Sequence, residues 1–268
     1  MHFLTAVDKL PNASLYLPGP KTQCTVNSLI VLKNVVHKFG SRTVLDGISL
    51  DLTERRIAFI GANGSGKSTL VRTFNGLLLP DQGEILVDGL DVRKNLSKVR
   101  RKVGFIFSDA NSQIIMPTVS EDVAIGLRRL KLSRQEGEER VNSALARYGL
   151  LEQASQSPHL LSGGQKQMLA LASVLVTEPE VLVCDEPTTL LDLYNVELFV
   201  DTLRELEQQV ILLTHHLDII EDFDRVIVID AGRVSFDGRP TQAIDHYRAL
   251  IRDRWSARIE SLSTRIAP

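Results

Sequence analysis

Residues 61–69 have the composition of a loop that binds phosphate groups. Its glycines would let backbone N–H groups turn toward phosphate oxygens, a lysine would bridge two phosphates, and a serine hydroxyl would reach Mg²⁺. The segment that follows has a helical pattern, and its N-terminus would add positive potential. We therefore predict that a nucleotide phosphate chain with Mg²⁺ binds to Gly61, Ala62, Asn63, Gly64, Ser65, Gly66, Lys67, Ser68 and Thr69.

Two adjacent carboxylates follow an apolar run farther along the chain. Asp185 comes directly after residues 181–184, where a carboxylate can hold Mg²⁺ through its water shell. Glu186 would leave the strand beside it and could orient and deprotonate an attacking water. Such a pair alone usually only ends a strand, but the glycine loop upstream favours a metal ligand at Asp185 and a catalytic base at Glu186.

A third segment combines a helix start with glycines. Ser162, Gly163 and Gly164 precede a helical pattern, and a helix N-terminus attracts anions. The same residues also suit an ordinary N-cap followed by glycine, so the segment alone does not decide between these two interpretations.

Composition limits the classes to which the chain can belong. With 268 residues, 43% hydrophobic and 24% charged, it fits one globular domain with short appendages. A net charge of −2 gives no overall attraction to nucleic acid, so no nucleic-acid partner is expected. Two distant cysteines, Cys24 and Cys184, suit a reducing cytoplasm. No apolar stretch approaches the ~20 residues of a membrane span, so we expect none.

The elements that must position these motifs alternate between strands and helices. Short β-rich runs at 29–36, 43–52 and 57–60 lead into the glycine loop, and a helix is predicted over 67–78. Further strands are predicted at 84–87, 103–107, 181–184, 210–213 and 225–229, with helices at 162–176 and near 196–206. The pattern predicts an α/β fold with a mainly parallel sheet.

The domain boundaries follow from the same patterns. Residues 1–28 contain prolines without periodicity and are expected to form an N-terminal arm, whereas residues 29–250 form the core domain. A helical insert is expected at about 118–162, because Thr118 with Glu121, and Ser133 with Glu136, have the spacing of capping boxes. Residues 251–268 are expected to form a C-terminal helical tail.

The combination of motifs resembles the ATP-binding subunits of ABC transporters over about residues 29–250. Residues 190–192 are similar to the family's D-loop, residues 214–215 to its switch histidine segment, and Phe39 occupies the place of the aromatic residue that stacks on adenine. The resemblance implies a P-loop NTPase of the ABC ATPase type, in which a mainly parallel core carries an antiparallel β subdomain and a helical subdomain.

The family's mechanism carries over by position. Two subunits would bind two ATP molecules head to tail with Mg²⁺, and Glu186 and His215 would be the catalytic residues beside ATP in cis. Asp192 of the D-loop would cross the dimer seam. The signature segment of one subunit would face the γ-phosphate held by the other; it comprises Ser162, Gly163, Gly164 and Gln165.

One position departs from the family pattern. Where the family normally has a glutamine that touches Mg²⁺ and the attacking water, this chain has Ser108. A serine side chain is shorter by two to three bonds, so it would act through a bridging water or not at all. Gln113 lies too far along the chain to take that place directly, and the metal role of Ser108 stays open.

The segment after Ser108 resembles the energy-coupling factor group of vitamin and metal importers. Residues 111–127 are similar to that group's sequence, and a serine in place of the glutamine is similar to the biotin importer's ATPase; cobalt and nickel importers are the close alternatives. The implied partners are a second ATPase subunit, in a homodimer or heterodimer, a membrane coupling subunit and a substrate-binding membrane subunit. The implied location is peripheral, at the cytoplasmic face of the inner membrane.

Other functions remain open from the sequence alone. One is a soluble ABC ATPase, such as one in iron–sulfur cluster assembly, and another is a nucleotide-binding module that has lost hydrolysis through Ser108. The apolar triplet Ile114, Ile115 and Met116 also has two interpretations: it lines a groove that receives a membrane subunit, or it fills the core of the insert itself.

Overall fold

The computed structural model describes residues 30–266, with side chains to residue 259. The predicted N-terminal arm therefore lies outside the described residues. Within them the strands form two sheets. The smaller sheet is antiparallel with the order β2-β1-β4-β5, and its strands are β1 (Ile30–Phe39), β2 (Arg42–Leu52), β4 (Gln82–Val87) and β5 (Leu90–Asp91).

The larger sheet has the order β10-β9-β3-β8-β7-β6 and is parallel except for the edge pair β9–β10. Three of its central strands are buried along their whole length, as apolar strands of a parallel sheet covered on both faces must be. Its strands are β3 (Arg56–Ile60), β6 (Val103–Ile106), β7 (Val181–Asp185), β8 (Gln209–Leu213), β9 (Arg225–Asp230) and β10 (Arg233–Gly238).

Seven α-helices surround these sheets within the described part of the chain. Both predicted capping boxes are present, at Thr118 and Ser133, and Ser162 forms a third with Gln165. The helices are α1 (Lys67–Val71), α2 (Leu96–Lys102), α3 (Val119–Leu127), α4 (Arg134–Arg147), α5 (Gly163–Leu175), α6 (Leu193–Glu205) and α7 (Pro240–Ile266).

The large sheet separates two hydrophobic cores because side chains alternate along a strand. In β3, Ala58 and Ile60 face a core made with α3, α4, α5 and α6, whereas Ile57 and Phe59 face a core made with the small sheet. The side chains of β7 alternate between the same two cores. The strand ends that carry the candidate site are therefore held from both sides.

Five elements differ from the sequence-based prediction. Helix α1 ends at Val71 rather than residue 78, because the chain tightens into i→i−3 hydrogen bonds at Thr73 and Phe74 and then turns through Gly76, whose φ is +67°. Strands β5 and β10 and helix α2 were not predicted, since they lack an apolar run of sufficient length. Helix α7 passes through residue 250, so the predicted tail continues a helix that begins inside the core domain.

Candidate functional site

The predicted phosphate loop connects the end of β3 to the start of α1. Lys67 lies folded back into it: its Nζ donates hydrogen bonds to Gly61 O at 2.7 Å and Ala62 O at 3.1 Å. Burial lowers the pKa of the Lys67 amine, and the negative charges of Glu186 and Asp185 oppose that shift. The lysine is thus held beside two carboxylates, inside a loop whose own carbonyls are its partners.

Close packing against neighbouring backbone explains why two positions of the phosphate loop are glycine. Gly61 has a φ of +145°, and a Cβ there would lie 2.1 Å from Ile229 O. Gly66 has a φ of +106°, and its Cβ would lie 2.7 Å from Val44 O. Because both obstacles are backbone atoms, neither position can accept a side chain without moving β2 or β9.

Asp185 lies at the end of β7 with both carboxylate oxygens engaged. Ser68 Oγ donates to Oδ1 at 2.7 Å, while Nε and Nη2 of Arg72 donate to Oδ2 at 3.2 and 3.0 Å. The Asp185 side chain is only 3% exposed, so the arginine supplies the positive charge that a buried carboxylate needs. Arg72 was not predicted as part of the site.

Glu186 occupies the next position and has an unusual backbone. Its φ is +53°, and its N–H donates to Leu213 O at the end of β8. Its Oε2 lies 3.6 Å from Nδ1 of His215 and accepts a hydrogen bond from Thr189 Oγ1 at 3.3 Å. A non-glycine residue in this conformation is uncommon, and surrounding contacts must compensate its strain. The structure brings the side chains of Glu186 and His215 together.

Phe39 and Ser108 lie at the edges of this region. The Phe39 side chain is 57% exposed at the end of β1, with its ring 4.8 Å from that of His37 in a T-shaped arrangement. Ser108 is half-buried just after β6. Gln113 folds back so that its Oε1 accepts a hydrogen bond from Phe107 N at 3.3 Å, immediately before Ser108.

The signature segment and the D-loop lie next to each other. Ser162 Oγ accepts from Gln165 N at 3.2 Å, and Gln165 Oε1 accepts from Ser162 N at 2.9 Å. A Cβ on Gly164 would lie 2.0 Å from Asn195 Oδ1, and the same asparagine donates its N–H and Nδ2 to Asp192 Oδ1. Among the described hydrogen bonds and ion pairs, none joins residues 162–165 to the phosphate loop of the same chain.

The described residues contain no group of three or more His, Cys, Asp or Glu side chains able to hold a metal ion by themselves. An ion at Ser68 and Asp185 would thus need further oxygen ligands from a phosphate chain or water. None of the helices in residues 30–266 combines the length and apolar character of a membrane span.

Comparison with known proteins decides the family. The ABC transporter family profile matches residues 45–189. A protein of Deinococcus radiodurans named as an ABC transporter ATP-binding protein is 51% identical over 220 residues, covering 82% of this chain and 97% of that protein. The chain belongs to the ABC transporter family. As an ATP-binding subunit of this family, it hydrolyses ATP to drive transport.

Other relatives of this ABC ATPase carry more specific names. The biotin transport ATP-binding protein BioM of Rhizobium etli is 43% identical over 212 residues, covering 79% of this chain and 94% of that protein. The energy-coupling factor transporter ATP-binding protein EcfA1 of Clostridium novyi is 37% identical over 227 residues, covering 80% of this chain and 81% of that protein. These matches confirm the similarity to the energy-coupling factor group.

A solved structure confirms the predicted fold. CbiO1 from Clostridium perfringens, described as part of the ABC transporter complex CbiONQ, aligns with a TM-score of 0.74 and 33% identity. The alignment covers 89% of this chain and 99% of that one. The P-loop fold of the ABC ATPase type is therefore established, and the family match favours a transport ATPase over the soluble alternative.

Proposed function

We propose that this ABC ATPase energises an energy-coupling factor importer for a vitamin, with biotin favoured, or for a transition metal ion such as cobalt or nickel. Support comes from its similarity to BioM, EcfA1 and CbiO1. Residues 111–127 support the energy-coupling factor group, and the serine at 108 favours the biotin-type ATPase within it. The cargo itself would be selected by a membrane subunit.

The residues at the base of the phosphate loop fit a magnesium ion. Ser68 Oγ and Asp185 Oδ1 lie 2.7 Å apart, and both are hard oxygen donors of the kind Mg²⁺ prefers. Ser68 would bind the ion directly and Asp185 through water. When bound with ATP, Mg²⁺ neutralises negative charge on the phosphate oxygens that develops during phosphoryl transfer.

The remaining residues of the site have separate roles around ATP. Phe39 stacks on adenine, and residues 61–69 surround the phosphates with backbone N–H groups. Lys67 leaves its two carbonyl partners to reach the β- and γ-phosphates. Glu186 accepts a proton from the attacking water, and His215, 3.6 Å from it, contacts the γ-phosphate.

A second copy of this chain completes each site. The chain carries both halves, the phosphate loop with Glu186 and the signature segment with Asp192, so two copies arranged head to tail would make two full sites. Large apolar side chains around the second half support this arrangement, because such residues are enriched at the buried centre of interfaces. Leu160, Leu190, Leu193 and Tyr194 are 77%, 69%, 74% and 76% exposed.

A membrane coupling subunit docks on the loop between β6 and α3. Ile115 projects from this loop with 67% of its side chain exposed, while Ile114 packs against the core. Ile115 thus fits the interpretation as a docking residue, whereas Ile114 fits the interpretation as part of the core. Docking here would hold the ATPase peripherally at the cytoplasmic face, beside the substrate-binding membrane subunit.

The proposed role of the site in hydrolysis rests on one observation: Glu186 and His215 lie close together next to the buried Asp185. The transport assignment is tested by purifying the tagged chain from membranes with its partners and reconstituting the complex in proteoliposomes. ATP-dependent uptake of biotin, or of Co²⁺ or Ni²⁺, is expected in parallel assays. Capture of no membrane protein would contradict the assignment.

A further inference from the structure

The loop between β6 and α3 is fastened to helix α5 at both ends. At its start, Gln167 of α5 is only 3% exposed and donates from Nε2 to Phe107 O at 3.3 Å. Gln113 accepts from the N–H of the same residue, so both polar backbone groups of Phe107 are held by glutamine side chains. Buried amides in such positions fix the path of the chain immediately before Ser108.

A buried carboxylate fastens the other end. Asp122 of α3 is 2% exposed, and its Oδ1 accepts from the backbone N–H groups of Ile115 at 2.9 Å and Met116 at 3.1 Å. Its Oδ2 accepts from Ser173 Oγ of α5 at 3.0 Å. One charged side chain thus joins the loop to α5, through hydrogen bonds of the stronger, charge-assisted kind.

Helices α3 and α5 also meet at backbone distance. A Cβ added to Gly126 of α3 would lie 3.1 Å from Ser173 O of α5 and 2.9 Å from Cγ2 of Thr177, which follows that helix. Helices in such close contact leave little free space between them. Together with the hydrogen bonds of Gln167 and Asp122, this contact joins the loop, α3 and α5 into one packed unit.

This unit connects an exposed apolar residue to the signature segment. The N–H of Ile115 is fixed inward by Asp122, while its side chain is 67% exposed. Ser162 caps the N-terminus of α5, 11 residues or ~16 Å of helix before Ser173. A force on the Ile115 side chain would reach Ser162 through the hydrogen bonds that join Ile115 to Asp122 and Asp122 to Ser173, and then along α5.

We propose that Gln167, Asp122 and Ser173 are positioning residues that transmit movement between the Ile115 loop and the signature segment. The inference rests on the proposed docking at Ile115 and the proposed dimer. It assigns coupling to the buried Asp122 and Gln167 and the part-buried Ser173, in a chain whose residue 108 is a serine with a short side chain. None of the three is among the residues proposed to bind ATP.

The test uses the purified full chain carrying Glu186→Gln, which is expected to dimerise with ATP. Hydrogen–deuterium exchange of residues 107–118 is followed with and without Mg·ATP, and dimerisation is measured separately by size-exclusion chromatography. In this parent, ATP should change the exchange of the Ile115 and Met116 amides. Ser173→Ala should halve that change, and Ser173→Ala with Gln167→Leu should reduce it to about a fifth or less, with dimerisation retained.

Two further variants separate transmission from simple damage. Ser173→Thr keeps the hydroxyl and should restore most of the change, and Ser143→Ala, at an exposed position of α4, should match the parent. A double variant that dimerises and keeps the full ATP-dependent change would overturn the inference. If the proposed function is wrong, the parent itself will not dimerise with ATP. That result differs from the one above, and it would also overturn the inference.

Discussion

The carboxylate of Glu186 lies 3.6 Å from Nδ1 of His215, although the two residues follow different strands of the central sheet. The parallel register of β7 and β8 places Asp185 opposite Leu213, so the residues that follow each strand emerge at the same edge. Strand pairing thereby brings together the proposed base and the imidazole that is proposed to contact the γ-phosphate.

Replacing Glu186 with glutamine should stop hydrolysis and spare binding. The amide keeps the shape of the side chain but cannot accept a proton from water, so turnover should fall by ~10² or more. ATP affinity should be nearly unchanged, and ATP should trap a dimer. Steady-state ATPase assays measure turnover, and equilibrium nucleotide binding measures ATP affinity. The exposed Glu207→Gln is the control. Turnover within threefold of the parent would show that Glu186 is not the base.

The role of Ser108 in hydrolysis can be tested with one variant that removes its hydroxyl and one that lengthens its side chain. If its hydroxyl acts through a bridging water, Ser108→Ala should slow hydrolysis and leave nucleotide affinity unchanged, whereas Ser108→Gln should be tolerated or faster. Ser97→Ala, at an exposed position of α2, is the matched control. An alanine variant with parental ATPase and transport would mean that this position no longer has the family's role.

The docking role of Ile115 predicts a loss of assembly without a loss of folding. Ile115→Asp places a charge where an apolar contact with the membrane subunit is proposed, so co-purification and uptake should be lost. The side chain is 67% exposed, so soluble expression and ATP binding should be retained. Leu151→Asp, at an exposed position elsewhere in the insert, should assemble normally. Intact assembly of the Ile115 variant would reject this docking site.

Arg72 should stabilise the nucleotide-free protein through Asp185. Arg72→Met leaves the buried carboxylate with Ser68 alone, and the free energy of unfolding should fall by about 1 kcal/mol, a value kept small by the partial exposure of the guanidinium. Urea denaturation without nucleotide measures the change. Arg134→Met, which removes an exposed ion pair with Glu138, should have almost no effect. Equal midpoints for both variants would argue against a supporting role for Arg72.

The sequence predicted those parts of the site that are encoded locally. Glycine spacing predicted the phosphate loop, and an apolar run ending in a carboxylate predicted a strand that ends at Asp185. A serine and two glycines before a helical pattern predicted the helix start at Ser162. The antiparallel sheet, the parallel sheet and the capping boxes followed from the same short-range patterns. Each of these depends on residues within a few positions of one another.

What the sequence could not predict depends on contacts through space. Arg72 and Asp185 are 113 positions apart, and only strand order brings them together. Asp122 resembles any acidic residue in the first turn of a helix, a position that the helix dipole alone would explain. The early end of α1 depends on a turn at Gly76 that packs against α2, an element too short and polar to be predicted.

The most direct test of the account mixes two inactive variants. Lys67→Ala removes the phosphate-loop lysine but keeps the signature segment, whereas Ser162→Arg blocks the signature segment but keeps the loop. If ATP is held between two copies head to tail, a mixed dimer contains one intact site, and ATPase activity should reappear at up to about half the parental rate per mixed dimer. Mixtures in which dimers form but remain as inactive as either variant alone would contradict the shared site.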